Sequence, residues 1–138
     1  MNKLIIASHS TLAEGMLKAA KLITGETNNV SYISAYESND VDYNKLIYET
    51  VSSFDYESGN LIIATDLMGG SVNNQFLQYL KTYPFHLIAG VNLVTVMSLI
   101  LQLDSLDAEH IREIIESSKN TIVYCNDISI EEPDNNEF

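Results

Sequence analysis

The sequence predicts an α/β fold built on a doubly wound, mainly parallel sheet with helices on both faces. Short runs rich in Ile, Val and Tyr alternate with longer segments of helical periodicity, as in strands joined by crossover helices. The apolar runs LIIA and LIIAT are continuous rather than alternating, which is typical of central strands covered on both sides. With 138 residues, the chain is long enough for one hydrophobic core, and we expect a single domain over residues 1–130.

Five segments are strand candidates. They are KLIIAS, VSYISAY, NLIIAT, FHLIAGV and TIVYC, which begin at residues 3, 30, 60, 85 and 121. The first four are expected in the flavodoxin-like order 2-1-3-4, which makes the first and third strands neighbours.

The first helix has a clear predicted start. Thr11 and Glu14 form the T-x-x-E pattern of a capping box, so the helix should begin at Thr11, and Gly25 should end it. The apolar residues at helical spacing are Leu12, Met16, Ala19, Ala20 and Ile23. This stripe predicts core packing.

Candidate N-cap residues also predict where the second and third helices begin. An acidic cap at Asp40 or Asp42 should start the second, and Ser71 should be the N-cap of the third, which runs toward Pro84. The residues predicted to face the core are Tyr43, Leu46, Ile47, Val51 and Phe54 in the second helix and Phe76, Leu77 and Leu80 in the third.

The last two helices differ in character. LVTVMSLILQL, from residue 93, is apolar nearly all round, so it is either deeply buried or part of a subunit contact, and it favours a homodimer. DAEHIREIIESS, from residue 107, should place Ile111, Ile114 and Ile115 inward and His110 in solvent. The acidic tail EEPDNNEF, residues 131–138, is predicted to fray.

Charge and cysteine content exclude several classes. A net charge of -12 argues against nucleic-acid binding and direct membrane binding, although it suits a basic protein partner or simply confers solubility. The single Cys125 permits no internal disulfide, which favours the cytoplasm. LIIA is too short for the apolar region of a signal peptide, and no apolar run reaches the roughly 20 residues of a spanning helix.

Candidate reactive residues follow two of the predicted strands. In an open parallel sheet the ligand site lies beyond the carboxyl ends of the strands, so His9 after the first strand and Asp66 after the third should approach each other. Gly69, Gly70 and Ser71 continue from Asp66 into the next helix and supply flexible backbone and a hydroxyl. We expect an anion to bind there.

These residue types suit phosphoryl transfer. A neutral imidazole attacks phosphorus with one ring nitrogen while the other donates its proton to a carboxylate, which fixes the tautomer. His9 fits the first role and Asp66 the second. Because positioning and charge stabilisation dominate this reaction, neither metal nor other cofactor is required. A purely structural reading stays open, in which Asp66 and Ser71 are turn and cap residues and His86 is an ordinary strand histidine.

Three blocks of sequence resemble a known family. LIIASHSTLAEGMLKAAKLITG, LIIATDLMGGSVNN and IAGVNL are similar in order and spacing to the enzyme IIA domain of the mannose family of the sugar phosphotransferase system, over residues 3 to 125. The resemblance implies that His9 accepts phosphate from the carrier protein HPr and passes it to a histidine of enzyme IIB, and that Asp66 orients His9. The implied phosphate-binding residues are Ser71, Gly70, Gly69 and Ser10. It also implies a dimer with the final strand at the subunit interface.

The chain departs from that family at three positions, with Ser10 in place of the usual Gly and Val72 and Val94 in place of the usual Pro. Two other functions remain open. A receiver domain would carry phosphate on Asp66, but the sequence lacks the acidic pair and the lysine that a receiver needs, since those places read SHS and CND. A non-catalytic regulatory module of the same fold is the other alternative. The sugar is not readable from this sequence.

Overall fold

A computed structural model describes residues 1–129 and contains a four-stranded sheet in which all neighbouring strands are parallel. The strands are β1 (Lys3–His9), β2 (Val30–Ala35), β3 (Leu61–Thr65) and β4 (His86–Ala89). Their order β2-β1-β3-β4 confirms the predicted 2-1-3-4 arrangement. The predicted acidic tail, 131–138, lies outside the described residues.

Within the described range, five α-helices connect and follow these strands. They are α1 (Leu12–Thr24), α2 (Tyr43–Ser53), α3 (Ser71–Leu77), α4 (Leu93–Leu101) and α5 (Ala108–Ser118), with short 3-10 helices at Leu103–Ser105 and Cys125–Asp127. In the part of the chain from 1 to 129, no helix is both long and apolar enough to cross a membrane.

Two apolar layers cover the sheet. Because successive strand residues point to opposite faces, Leu4 and Ile6 pack with α1, α4 and α5, whereas Ile5 and Ala7 pack with α2 and α3. All five interior residues of β1 and all of β3 are buried. Burial on both faces explains why LIIA and LIIAT are continuously apolar.

The predicted capping box of α1 was wrong. Thr11 occupies the N-cap position but makes no side-chain cap hydrogen bond, and the backbone N–H of Ala13 donates instead to Oγ of Ser8 at 2.6 Å. Ser10 lies in the left-handed region, with φ of 55°, and this turn separates the end of β1 from the helix. The cap therefore comes from the strand, and Glu14 pairs with Lys18 at 3.0 Å rather than with the helix start.

The buried face of α1 is also shifted by about one position from the predicted stripe. Ala13, Leu17 and Ala20 are the buried residues, of which only Ala20 was predicted, and Met16 of the predicted stripe is partly buried against the core. By contrast, Leu12 is 51% exposed and Ile23 is 62% exposed. The helix starts where it was predicted to start, so the difference lies in which of its faces is turned toward the sheet.

Other helix boundaries are partly as predicted. Asp42, not Asp40, caps α2 by accepting from the backbone N–H of Lys45 at 3.1 Å. Helix α3 begins with Gly70 as N-cap, so Ser71 is its first helical residue rather than its cap, and the helix ends at Leu77. Of the residues predicted to face the core in these helices and in α5, Ile47, Val51, Phe76, Ile111 and Ile114 are buried, Tyr43, Leu46, Phe54 and Ile115 are partly buried against it, and Leu77 and Leu80 are exposed.

The fifth predicted strand is not formed. Residues 121–124 of the TIVYC segment have no regular secondary structure and pair with no strand of residues 1–129. Ile122 and Tyr124 are exposed, at 87% and 67%. Strand composition alone does not make a strand, because a strand also needs a neighbouring edge with which to exchange hydrogen bonds.

Two histidines give the protein opposite pH dependences of stability. Burial lowers the pKa of His86 from its ordinary 6.5, with Arg112 adding to the shift and Asp107 opposing it, so its stabilising effect is present above pH 6.5 and is lost on acidification. The hydrogen bond that the His110 ring donates to the Asp107 carboxylate raises the pKa of His110, so its stabilising effect is present below pH 6.5 and is lost as the pH rises.

Substitution of each histidine should separate these effects. When the pH is lowered from 7.5 to 5.5, we expect the free energy of unfolding of H86Q to rise relative to that of wild type. Over the same change, we expect that of H110Q to fall relative to wild type. Urea unfolding at both pH values measures the difference. The same sign of change in both variants would contradict the assignment.

Candidate active site

The site lies where β1 and β3 end. His9 is the last residue of β1 and Asp66 directly follows β3, and these strands are hydrogen-bonded neighbours. Oδ2 of Asp66 accepts two hydrogen bonds from His9, one from the backbone N–H at 2.9 Å and one from Nδ1 of the ring at 2.8 Å. The predicted approach of these two residues is present in the structure.

The other ring nitrogen of His9 faces a hydroxyl. Nε2 lies 3.0 Å from Oγ of Ser71, at the start of α3. Since a carboxylate only accepts, the bond to Asp66 places the ring proton on Nδ1 in the neutral ring, and the Ser71 hydroxyl then donates to the lone pair of Nε2. Nε2 is the nucleophilic nitrogen in this tautomer.

Exposure differs sharply between the two partners. The His9 side chain is 39% exposed, whereas that of Asp66 is 10% exposed. Oδ1 of Asp66 is buried and has no hydrogen-bond partner among residues 1–129, so Oδ2 receives both donors from His9. The ring is accessible to a reactant, and the carboxylate is held behind it.

The two glycines have different reasons to be glycine. Gly69 has φ of 76°, in the left-handed region. At Gly70, a Cβ atom would lie 3.0 Å from Cε1 of His9 and 3.3 Å from the carbonyl oxygen of Leu67, so the backbone packs directly against the imidazole. The Gly70 amide donates to that Leu67 oxygen at 3.2 Å. Gly70 therefore shapes the space around the ring, with its amide already engaged.

Ser10 is held by its backbone. Its N–H donates to the carbonyl oxygen of Ala35 in β2 at 2.9 Å, and its φ is 55°. Its hydroxyl makes no hydrogen bond to His9, Asp66 or Ser71. A glycine adopts this conformation without strain, which gives a physical reason for the glycine usual in the resembling family.

The strain at Ser10 should be measurable. We expect the S10G variant to be more stable than wild type by up to about 1 kcal/mol, because relief of the left-handed conformation outweighs the extra entropy of glycine in the unfolded chain. The S10A variant is the matched control, since it keeps the strain and removes only the hydroxyl. Urea unfolding measures both, and an S10G variant less stable than S10A would contradict the strain at this position.

Sequence reasoning missed Tyr36, which contacts His9. It follows β2 with φ of 67°, and its ring centroid lies 5.9 Å from that of His9 at an interplanar angle of 43°. The sequence carried only a weak signal, an aromatic residue between a strand and a polar loop.

The other histidines lie away from the site. His86 begins β4, at the opposite end of the parallel sheet, and His110 is on α5. Within residues 1–129, no three His, Cys, Asp or Glu side chains are grouped as metal ligands would be. The polar side chains that the structure brings together at this edge of the sheet are His9, Asp66 and Ser71.

Comparison with known proteins decides the family. A family model described as "PTS system fructose IIA component" (PTS, phosphotransferase system) matches residues 3–116, most of the chain. The chain belongs to this enzyme IIA family. This confirms the resemblance found in the sequence and makes the protein a component of a sugar phosphotransferase system. No curated protein sequence matches this enzyme IIA significantly.

Solved structures show the same fold. A candidate permease of the phosphoenolpyruvate-dependent sugar PTS from Klebsiella pneumoniae subsp. pneumoniae is 33% identical, with a TM-score of 0.83 and coverage of 91% of this enzyme IIA and 92% of that chain. The PTS IIA protein associated with the fucose utilization operon of Streptococcus pneumoniae is 27% identical, with a TM-score of 0.77 and coverage of 91% and 93%. The mannose/sorbose specific IIA subunit from Enterococcus faecalis, at 23% identity, a TM-score of 0.65 and coverage of 96% and 97%, shares the fold.

Proposed function

We propose that this enzyme IIA accepts a phosphoryl group from phospho-HPr on Nε2 of His9 and passes it to a histidine of enzyme IIB during sugar uptake. The observation that carries the proposal is the arrangement of the His9 ring, with Nδ1 bonded to Asp66 at 2.8 Å and Nε2 beside Ser71 at 3.0 Å. The proposed site of action is the cytoplasm, and the membrane is reached only through the permease components of the transporter.

Each group has a defined part in the proposed step. The lone pair of Nε2 attacks phosphorus, and the N–P bond forms while the bond from phosphorus to its donor atom breaks. The ring becomes cationic with its proton still on Nδ1, where the Asp66 carboxylate stabilises the charge. The Ser71 hydroxyl leaves Nε2 and donates to a phosphoryl oxygen. Transfer to enzyme IIB repeats these events in reverse order, and no cofactor takes part.

The buried position of Asp66 disfavours the receiver alternative. A phosphorylated aspartate must present an oxygen to solvent, but the Asp66 side chain is 10% exposed and its Oδ2 already accepts two hydrogen bonds. The His9 ring covers it, with 39% of that side chain exposed. A phosphodonor approaching this edge of the sheet meets the imidazole first.

The experiment is phosphorylation with phosphoenolpyruvate, enzyme I and HPr, followed by peptide mapping. We expect an acid-labile, alkali-stable phosphate on His9 that appears only when HPr is present. An alkali-labile, hydroxylamine-sensitive phosphate on Asp66 would favour a receiver instead. A protein that takes no label would be a non-catalytic module of the same fold.

We further propose that the protein is a homodimer in which the segment containing Ile122 completes the sheet of the partner subunit. Strand β4 pairs only with β3 among the described strands, so its other edge is open. Beside it lies a cavity of about 420 Å³ lined by residues of β4, α4 and α5 and by Ile122. An open edge next to apolar residues is a surface suited to strand addition.

Light scattering and the I122K variant test the dimer. We expect the mass of two chains for wild type and of one chain for I122K. A lysine at this position would have to bury its charge where the segment packs against the partner subunit, which opposes the association. The I23K variant, which alters another exposed isoleucine, on α1, is the control and should remain dimeric. A monomeric wild type would refute this part of the proposal.

A further inference from the structure

Tyr36 combines an unfavourable backbone conformation with an exposed ring. Its φ of 67° lies in the left-handed region, which costs an L-residue about 1–2 kcal/mol. The residue is 52% exposed, so burial in the core does not offset this cost. Strain of this kind is concentrated at functional sites, where the surrounding structure holds it in place.

The left-handed turn brings the ring of Tyr36 to His9. Residue 35 is the partner of His9 in the parallel register, so Tyr36 emerges beside the imidazole where β2 ends. The two ring centroids are 5.9 Å apart. In an extended continuation of β2, the side chain of residue 36 would point to the face opposite that of residue 35 and its register partner His9, so the left-handed turn is what allows this contact.

The tyrosine is itself supported from behind. The ring of Tyr43, the first residue of α2, meets Tyr36 edge to face at a centroid distance of 5.6 Å and an angle of 64°. The Tyr43 hydroxyl accepts from the backbone N–H of Ser38 at 3.2 Å, which ties it to the β2–α2 loop. The Tyr36 hydroxyl has no hydrogen-bond partner among residues 1–129, so the ring, not the hydroxyl, makes the contacts of this residue.

Contacts on several sides thus restrict the rotation of the His9 imidazole. Asp66 holds Nδ1, Ser71 faces Nε2, the backbone of Gly70 packs on Cε1, and Tyr36 contacts the ring. The first two contacts select a tautomer only while the ring stays in its present rotamer. Of the four groups, Tyr36 is the one whose contact is purely a ring packing against a ring.

We propose that Tyr36 is a positioning residue, whose ring keeps the His9 imidazole in the rotamer that bonds Asp66 and Ser71 together. The inference rests on the proposed function, because that rotamer matters for phosphoryl acceptance at Nε2. It concerns the unphosphorylated protein, so the state of the ring is measurable whether or not HPr is the donor.

The test compares Y36G and Y36F with wild type. Long-range nitrogen–proton NMR spectra of histidine report the tautomer of His9, and phosphoramidate, a small donor, reports the reactivity of Nε2 without any protein partner. We expect wild type and Y36F to hold the proton on Nδ1. We expect Y36G to show a mixture of tautomers and slower labelling of His9, by up to about 100-fold, as a displacement of about 1 Å can cause.

Stability separates positioning from a structural role. Glycine relieves the left-handed strain, so Y36G should melt at the same temperature as wild type or higher while its His9 ring is disordered. Asn29, with φ of 63° at the start of β2, provides the matched control. Because asparagine adopts this conformation more readily than tyrosine, the N29G variant should relieve strain of the same kind but of smaller size, and it should leave the His9 tautomer and labelling rate unchanged.

Three outcomes would overturn the inference. The first is a Y36G variant with the wild-type tautomer and labelling rate. The second is a Y36F variant as impaired as Y36G, since the hydroxyl would then matter. The third is slower labelling of Y36G by phospho-HPr with an unchanged rate from phosphoramidate, which would make Tyr36 a docking residue. A wild-type protein that HPr does not label, but whose variants behave as expected, would refute the proposed donor and keep the role of Tyr36.

Discussion

The H9Q variant is expected to lose phosphorylation by phospho-HPr entirely. Glutamine has no nucleophilic nitrogen, because the lone pair of an amide nitrogen is delocalised onto the carbonyl. Its amide N–H groups are able to donate to Asp66, and the backbone N–H of residue 9 still donates at 2.9 Å, so the buried carboxylate keeps partners. The variant should therefore fold like wild type, as circular dichroism will show, and fail in the labelling assay.

His110 offers a matched control for this substitution. Oδ1 of Asp107 accepts from both the backbone N–H and Nδ1 of His110, at 2.9 and 2.7 Å, which repeats the pattern of Asp66 and His9. That pair is on the exposed start of α5. The H110Q variant should be labelled at the wild-type rate. Wild-type labelling of H9Q, or loss of labelling in H110Q, would remove His9 from the proposed role.

The D66N variant is expected to lower the rate of phosphoryl acceptance by about 10⁴-fold, the order of loss when the orienting aspartate of a Ser-His-Asp triad becomes asparagine. If the amide NH₂ faces His9, it requires Nδ1 as an acceptor and moves the ring proton to Nε2, the attacking nitrogen. If the amide oxygen faces His9, the NH₂ group takes the place of Oδ1, which is buried and has no hydrogen-bond partner among residues 1–129, so a buried donor is left unpaired there. Either orientation also removes the negative charge that stabilises the cationic ring.

Rapid-quench labelling with phospho-HPr measures this loss, and the D107N variant is its control. D107N changes the equivalent carboxylate of the His110 pair but keeps a side chain that caps α5 as well as aspartate does, so it should fold like wild type and leave labelling unchanged. A D66N rate within a factor of about three of wild type would show that the carboxylate does not orient the ring; that interval is well below the expected loss.

Strand order was the part of the fold and site that the sequence predicted best. Continuous apolar runs identified the central strands β1 and β3, and the carboxyl ends of neighbouring parallel strands share one edge. The proximity of His9 and Asp66 followed from these two facts, without any local signal at either residue. Ser71 was placed near them because it follows Asp66 by a short glycine-containing turn.

Contacts that depend on exact backbone torsions were not predictable in the same way. The T-x-x-E pattern is local, but the cap of α1 comes from Ser8 across the left-handed turn at Ser10, and spacing does not reveal that turn. The contact of Tyr36 with His9 likewise depends on one unusual φ angle. The TIVYC segment has strand composition, but residues 121–124 do not pair with the open edge of β4 within residues 1–129, and composition does not reveal which edge a strand would join.

The double hydrogen bond to Asp66 has a further consequence for the proposed relay. Oδ2 of Asp66 accepts hydrogen bonds from both the backbone N–H and the ring of His9. The two side chains are therefore held together at the edge of the sheet. Gaining or losing a phosphoryl group then calls for almost no reorganisation of the protein. In the proposed function, such a site accepts and donates a phosphoryl group equally readily. The direction of transfer is then set by the phosphorylation states of HPr and enzyme IIB rather than by a conformational change of this enzyme IIA.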